Sequence, residues 1–184
     1  MKSRLERMAN FANYLPLSLR ARSDESRVNA NWGAHTAVTL NAIADILSTL
    51  TAEQWETPSL CEGWRVQDAV GHLVWRTGSS NGALLTSIGR AYLGHHVNPN
   101  KAIDDVSKRA AEAPRAVLIA RLRQIAADKA AGTGRTGISE LTEAVVHGID
   151  LLAPLGIVLP VAPAASGAVA LRRSLIAPGC ATPP

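Results

Sequence analysis

Aromatic side chains are scarce in this sequence: one Phe, two Tyr and four Trp among 184 residues. So few flat rings leave little to stack against bases. The 19 Lys and Arg are scattered rather than gathered, so the net charge of +4 does not describe a nucleic-acid interface. The same basic balance suits anionic small molecules equally well. Cysteine is scarcer still. Cys61 and Cys180 stand far apart and match no CxxC or zinc-ribbon spacing, which argues against a disulfide framework and fits a reduced, cytoplasmic protein. An unbroken apolar segment is missing too. In the opening "MKSRLERMANFANYLPLSLRARS", Asn10, Asn13 and Pro16 interrupt what would be the core of a signal peptide. Leu151 to Leu171 is uncharged and long enough to cross a bilayer, but Pro154, Pro160 and Pro163 disturb it and Ala fills much of it, so no membrane span is expected.

What is present is helical periodicity in a chain long enough for one core, 47% hydrophobic and 18% charged. Residues 1–30 read as an extension without chemistry, 31–160 as the domain and 161–184 as a Pro/Ala-rich tail. Within the domain a first helix is expected from Asn31 to Leu50, with Val38, Ala42, Ile46, Leu47 and Leu50 on its apolar face. A loop closed by Trp55 and Trp64 follows. A second helix places Val66, Ala69, Val70, Leu73 and Val74 on one face and runs on, with a kink, to Tyr92. Lys101 to Ala131 forms a third region split at Pro114, with Val117, Leu118, Arg121, Leu122 and Ile125 in register. The fourth spans Ile138 to Leu152. With no strand alternation and no repeat, the fold class is an all-α bundle of four main helices. The "GTGRTG" between the last two is dense in glycine but lacks a GK[ST] ending and a preceding strand, so it reads as an interhelical loop.

The last helix carries "LTEAVVHGIDLL". Glu140, Glu143, His147 and Asp150 fall within an arc of roughly 80° on an otherwise apolar surface. Glu143 and His147, one turn apart, are spaced to share one ion, and the same stripe also describes the wet side of an ordinary amphipathic helix. A third donor would decide between these. His72 in "DAVGHLVW" is the candidate, yet the helical wheel sets it beside Asp68 and Arg76, away from the Val66/Val70/Leu73 face, where a half-exposed histidine is expected. Asp68 either orients that imidazole or favours the helix start. His95 and His96 occupy a Gly/Asn/Pro turn, the setting of a solvated pair. Cys61 precedes its helix by several residues with no fixed basic neighbour in sequence, so it is assigned a structural role. Arg76 and Arg135 are the cations suited to carboxylates of a small anionic ligand.

"LTAEQWETPSLCEGWRVQDAVGHLVW", from Leu50 to Trp75, followed some 70 residues later by "LTEAVVHGIDLLAPLG", resembles the N-terminal domain of mycothiol-dependent maleylpyruvate isomerase, within the DinB-like superfamily. The two stretches stand in the family's order and cover roughly Asn31 to Pro160. The resemblance implies a DinB-like four-helix bundle holding a divalent metal, zinc above all, with His72 as first ligand and Glu143 and His147 as the other two. It also implies a low-molecular-weight thiol, mycothiol, and a small electrophilic substrate, hence a thiol transferase or isomerase. A metal- or ligand-binding bundle without turnover is the alternative. Glu62 replaces the family's proline between Cys61 and Gly63, which leaves the ligands untouched. The apolar segment after Leu151 leaves open whether the chain acts alone or as a homodimer.

Overall fold

The computed structural model describes residues 31–95 and 99–176. Residues 1–30, residues 96–98 with His96 among them, and the end of the chain from 177 lie outside the described residues. Those described form helices and loops, with no strand beyond an isolated bridge between Pro58 and Arg65.

Helix α1 spans Trp32–Leu47 and buries Ala37, Leu40, Ile43, Ala44 and Leu47 at i, i+3, i+4 spacing. Of the expected stripe, Leu47 alone is fully buried. Val38 is 61% exposed, and Ala42 and Ile46 are only partly buried. Two apolar stripes overlap on this helix, and packing selects the one whose Leu40, Ile43 and Leu47 bury more surface. Helix α2, Ala52–Glu56, opens with a reciprocal cap: Gln54 N–H donates to Thr51 Oγ1 at 3.3 Å and Thr51 N–H to Gln54 Oε1 at 2.8 Å. This cap sets Trp55 into the core.

Helix α3, Val66–Gly78, buries all five residues expected of its face. It stops earlier than its periodicity suggests. Ser79 leaves the helical region, Ser80 Oγ accepts from Ala83 N–H at 3.2 Å, and α4 starts afresh over Asn81–His95. Helix α5 spans Pro99–Ala111. Pro114 then precedes α6, Arg115–Ala130, which buries Leu118, Leu122, Ile125 and Ala126. Helix α7 spans Ile138–Leu152, the expected limits. Its start is fixed by Glu140, whose carboxylate accepts Gly137 N–H at 3.1 Å, and its end by a 3-10 turn over Ala153–Leu155.

Helix α1 packs on α6 and α7, and α3 on the same two, giving a four-helix bundle around one core. Helix α5 lies along α3, and α4 against α5. The α3–α5 contact is close because Gly71 has no side chain: a Cβ there would stand 2.6 Å from Ala111 N and 2.7 Å from Ser107 O. Residues Trp32–Ala162 make up this unit. Pro163–Ile176, helix α8, belongs to a second one and carries Pro at its first position. Among the described residues no helix is long and apolar enough to cross a membrane.

Candidate metal centre

Three donors meet between α3 and α7. Glu143 Oε2 lies 3.5 Å from His72 Nε2 and 3.4 Å from His147 Nε2, and the two imidazoles stand edge to face with centroids 4.6 Å apart. Ligand atoms of all three lie within 4.8 Å of one another, which suits a single ion. The helical stripe on α7 and the histidine on α3 thus share one place, and the third donor comes from 71 residues away in sequence.

His72 is buried, only 6% exposed, which corrects the half-exposed position read from the helical wheel. The wheel considers one helix against one core, whereas α5 covers the opposite flank of α3. Through α5, Ser107 reaches the imidazole: His72 Nδ1 lies 2.9 Å from Ser107 Oγ, which itself donates to the Ile103 carbonyl at 2.6 Å. The hydroxyl proton being committed, Oγ accepts from Nδ1–H, and the Nε2 lone pair is left facing Glu143 and His147. That is the tautomer a metal ligand requires. Asp68 does not orient the imidazole. Its carboxylate accepts from Arg65 N–H at 2.9 Å and pairs with the Arg65 guanidinium at 3.0 Å, so it serves the start of α3.

On the other ring, His147 Nδ1 lies 3.3 Å from Asp150 Oδ2 and 3.5 Å from Cys61 Sγ. Cys61 Sγ also contacts Asp150 Oδ2 at 3.4 Å. Cys61 therefore has an imidazole neighbour after all. Leu60 N–H donates to the Asp150 carbonyl at 2.9 Å, tying the loop to α7, and within the loop Trp64 N–H donates to the Cys61 carbonyl at 3.0 Å. Nothing local in the sequence announces that contact. Cys61, His147 and Asp150 form a second group of donors close enough for an ion, overlapping the first at His147.

Electrostatics sharpen the contrast between the rings. Burial lowers the His72 pKa, with His147 and Arg76 adding to the effect against Glu143. Burial also works against charge on His147, but Cys61 and Glu143 outweigh it and raise its pKa to about 9. Burial would lift the Glu143 carboxyl, yet the hydrogen bond from His147, the nearby His72 ring and the Arg76 charge hold it well below the usual carboxylate range. Glu143 is thus an anion under any ordinary condition.

Arg76 Nε meets Glu143 Oε1 at 3.2 Å, so this expected ligand-binding cation belongs to the centre. Arg135 pairs with Glu140 and donates to the Ser79 carbonyl at 3.4 Å, so it is not joined to the three donors. Trp64 walls the site, its ring 5.0 Å from that of His72 and 6.2 Å from that of His147, and its Nε1–H donates to Asp104 Oδ1 at 2.6 Å. A cavity of about 620 Å³ opens there, bounded by Cys61, Gly63, Trp64, Lys101, Asp104 and His147.

The family model for the mycothiol maleylpyruvate isomerase N-terminal domain matches residues 37–137. The match takes in His72, Trp64 and Ser107 and ends before Glu143 and His147. No curated protein and no solved structure matches the chain.

Proposed function

The chain belongs to the mycothiol maleylpyruvate isomerase N-terminal domain family, an all-α DinB-like bundle, and on that premise we propose that it is a metal- and thiol-dependent transferase or isomerase of small electrophiles. In this reading the bundle over residues 31–160 holds a divalent ion, zinc in first place, on His72, Glu143 and His147. The observation that carries it is the meeting of two imidazoles and a carboxylate within 4.8 Å, with the Ser107 hydroxyl 2.9 Å from the other nitrogen of one imidazole. The donors are two nitrogens and one oxygen, a set that suits zinc and related ions and leaves room for a further ligand.

When bound, the ion supplies the positive charge that acidifies a low-molecular-weight thiol, with mycothiol as the thiol the family name indicates. The protein's own groups supply the rest. Arg76 neutralises one oxygen of Glu143 and leaves the other to the donor set. Asp150 accepts from His147 and fixes its ring. Trp64 covers both imidazoles on one side. The cavity of about 620 Å³ is large enough for a small-molecule substrate, and Lys101 at its edge favours an anionic one. The thiol S–H adds across an electron-poor double bond: sulfur bonds one carbon and a proton the other, giving a conjugate. Rotation about the resulting single bond, followed by loss of the same thiol, gives the cis–trans isomer instead. A reducing cytoplasm, which keeps thiols available, is the compartment this chemistry fits.

The overlapping Cys61/His147/Asp150 group favours a second reading, a metal-binding bundle without turnover. Metal analysis of untagged protein, then a thiol-dependent assay across several electrophiles, separates the two. Near-stoichiometric metal lost in both His72→Ala and His147→Ala, with thiol-dependent turnover, supports the enzyme. Metal lost in His147→Ala and Cys61→Ala but kept in His72→Ala assigns the ion to the second group and overturns it.

A further inference from the structure

The glycine-dense loop after α6 borders a second cavity, of about 460 Å³, lined by Ser79, Asn81, Lys129, Thr133, Gly134 and Arg135 among others. Gly132 and Gly134 have φ of 72° and 71°, values that L side chains rarely adopt, so the loop's course depends on glycine there. The course brings Gly134 over Lys129: a Cβ at Gly134 would lie 3.9 Å from Lys129 Nζ.

Lys129 is only 4% exposed and borders the cavity, and among the described residues its Nζ has no hydrogen-bond or ion-pair partner. Two carboxylates lie near, Glu140 and Asp128, the latter also lining the cavity, and both favour the charged amine. Arg135 and Glu140 neutralise each other, Glu140 also accepts Gly137 N–H, and Asp128 accepts from Gln124 Nε2 at 3.0 Å. Lys129 Nζ is open to the cavity rather than sealed, an ammonium group that an anion entering there can reach. The first turn of the 15-residue helix α4 starts at the same cavity. Ser80 Oγ takes the Ala83 N–H, leaving the Asn81 N–H without a partner inside the helix.

We propose that this cavity binds a small molecule through an oxyanion, a phosphate or carboxylate group, held by Lys129 Nζ at the start of α4. The volume exceeds that of a bare phosphate and lies within the range of small-molecule sites. Burial lowers the Lys129 pKa, with Glu140 and Asp128 opposing.

Isotope-labelled full-length protein, titrated at constant ionic strength with inorganic phosphate, glycerol 3-phosphate and succinate, tests this by amide chemical shifts. The expected result is saturable movement of the Asn81 and Gly134 amides with at least one probe, and whichever probe saturates identifies the oxyanion. Lys129→Met should weaken that binding at least tenfold, while Arg121→Met, which removes a charge from the exposed side of α6, leaves it unchanged. No saturation below about 20 mM for any of the three, or equal affinity in Lys129→Met, would overturn the site. Should Lys129→Met fail to fold, the shift map of the unaltered chain decides: movement confined to residues away from Asn81 and Gly134 refutes it.

Discussion

In the metal-free protein, His147 should make the fold less stable as the solution becomes alkaline. Its pKa rises on folding from 6.5 to about 9, because Cys61 and Glu143 favour the imidazolium more than burial penalises it. Between those two values the native chain binds the proton and the unfolded chain does not, so unfolding releases it and stability falls with pH. The contribution is fully present below about pH 6.5 and is lost as pH passes 9. At about 1.4 kcal/mol per pH unit, that interval amounts to about 3 kcal/mol. His72 acts with the opposite sign. Its lowered pKa makes the unfolded chain the better proton binder below 6.5, so stability also falls on the acid side. Lys129, whose pKa is lowered too, favours the fold as pH approaches 10.5 and partly masks the loss. Urea unfolding of EDTA-treated wild type and of His147→Gln, at pH 6.5 and pH 9.5, removes that overlap, since Lys129 is common to both. The wild type should lose about 3 kcal/mol more than the variant over this range. Metal-loaded protein should show the reverse trend, because a ligating imidazole must first give up its proton. Equal pH dependence in wild type and variant would refute the account of His147.

Ser107→Ala removes the acceptor that holds His72 in its ligating tautomer, and should weaken zinc binding 10- to 100-fold, read by competition with a chromophoric chelator. Gly71→Ala sets a methyl group 2.6 Å from the α5 backbone and should cost about 1–3 kcal/mol in chemical denaturation, with α5 displaced and the Ser107 contact weakened alongside. Asp68→Asn weakens the anchor between Arg65 and α3 and should cost about 1 kcal/mol at pH 7. Burial opposes the Asp68 charge, but Arg65 lowers its pKa. Its contribution is therefore present above pH 3.8 and fades as pH falls through the lower folded value, so melting curves of wild type and variant should converge in acid.

The parts of the fold legible in the sequence are those set by local chemistry. Helix α7 takes its expected limits because Glu140 caps one end and the Pro154 turn closes the other. The buried face of α3 is as expected because its apolar residues make a single stripe. Where two local solutions compete, the sequence is silent. Helix α1 has two apolar stripes, and only the arrival of α6 and α7 chooses between them. The break after Gly78 is similar: Ser79 and Ser80 can sit within a helix or cap one, and capping prevails.

The site divides along the same line. Glu143 and His147 share a face of one helix, so their pairing can be counted off in residues. Placing His72 needs α3 laid against α7, a tertiary contact that only the family resemblance supplied in advance. The groups that prepare the site were hidden more deeply. Ser107 acts on His72 because Gly71 lets α5 come within backbone contact of α3, and Cys61 reaches His147 because Leu60 is hydrogen-bonded to Asp150. A glycine and a loop amide carry no chemical signature of their own, yet both position the imidazoles. It follows that substitutions at Gly71 and Leu60, which touch none of the three donors, should disturb the centre more than their side chains suggest.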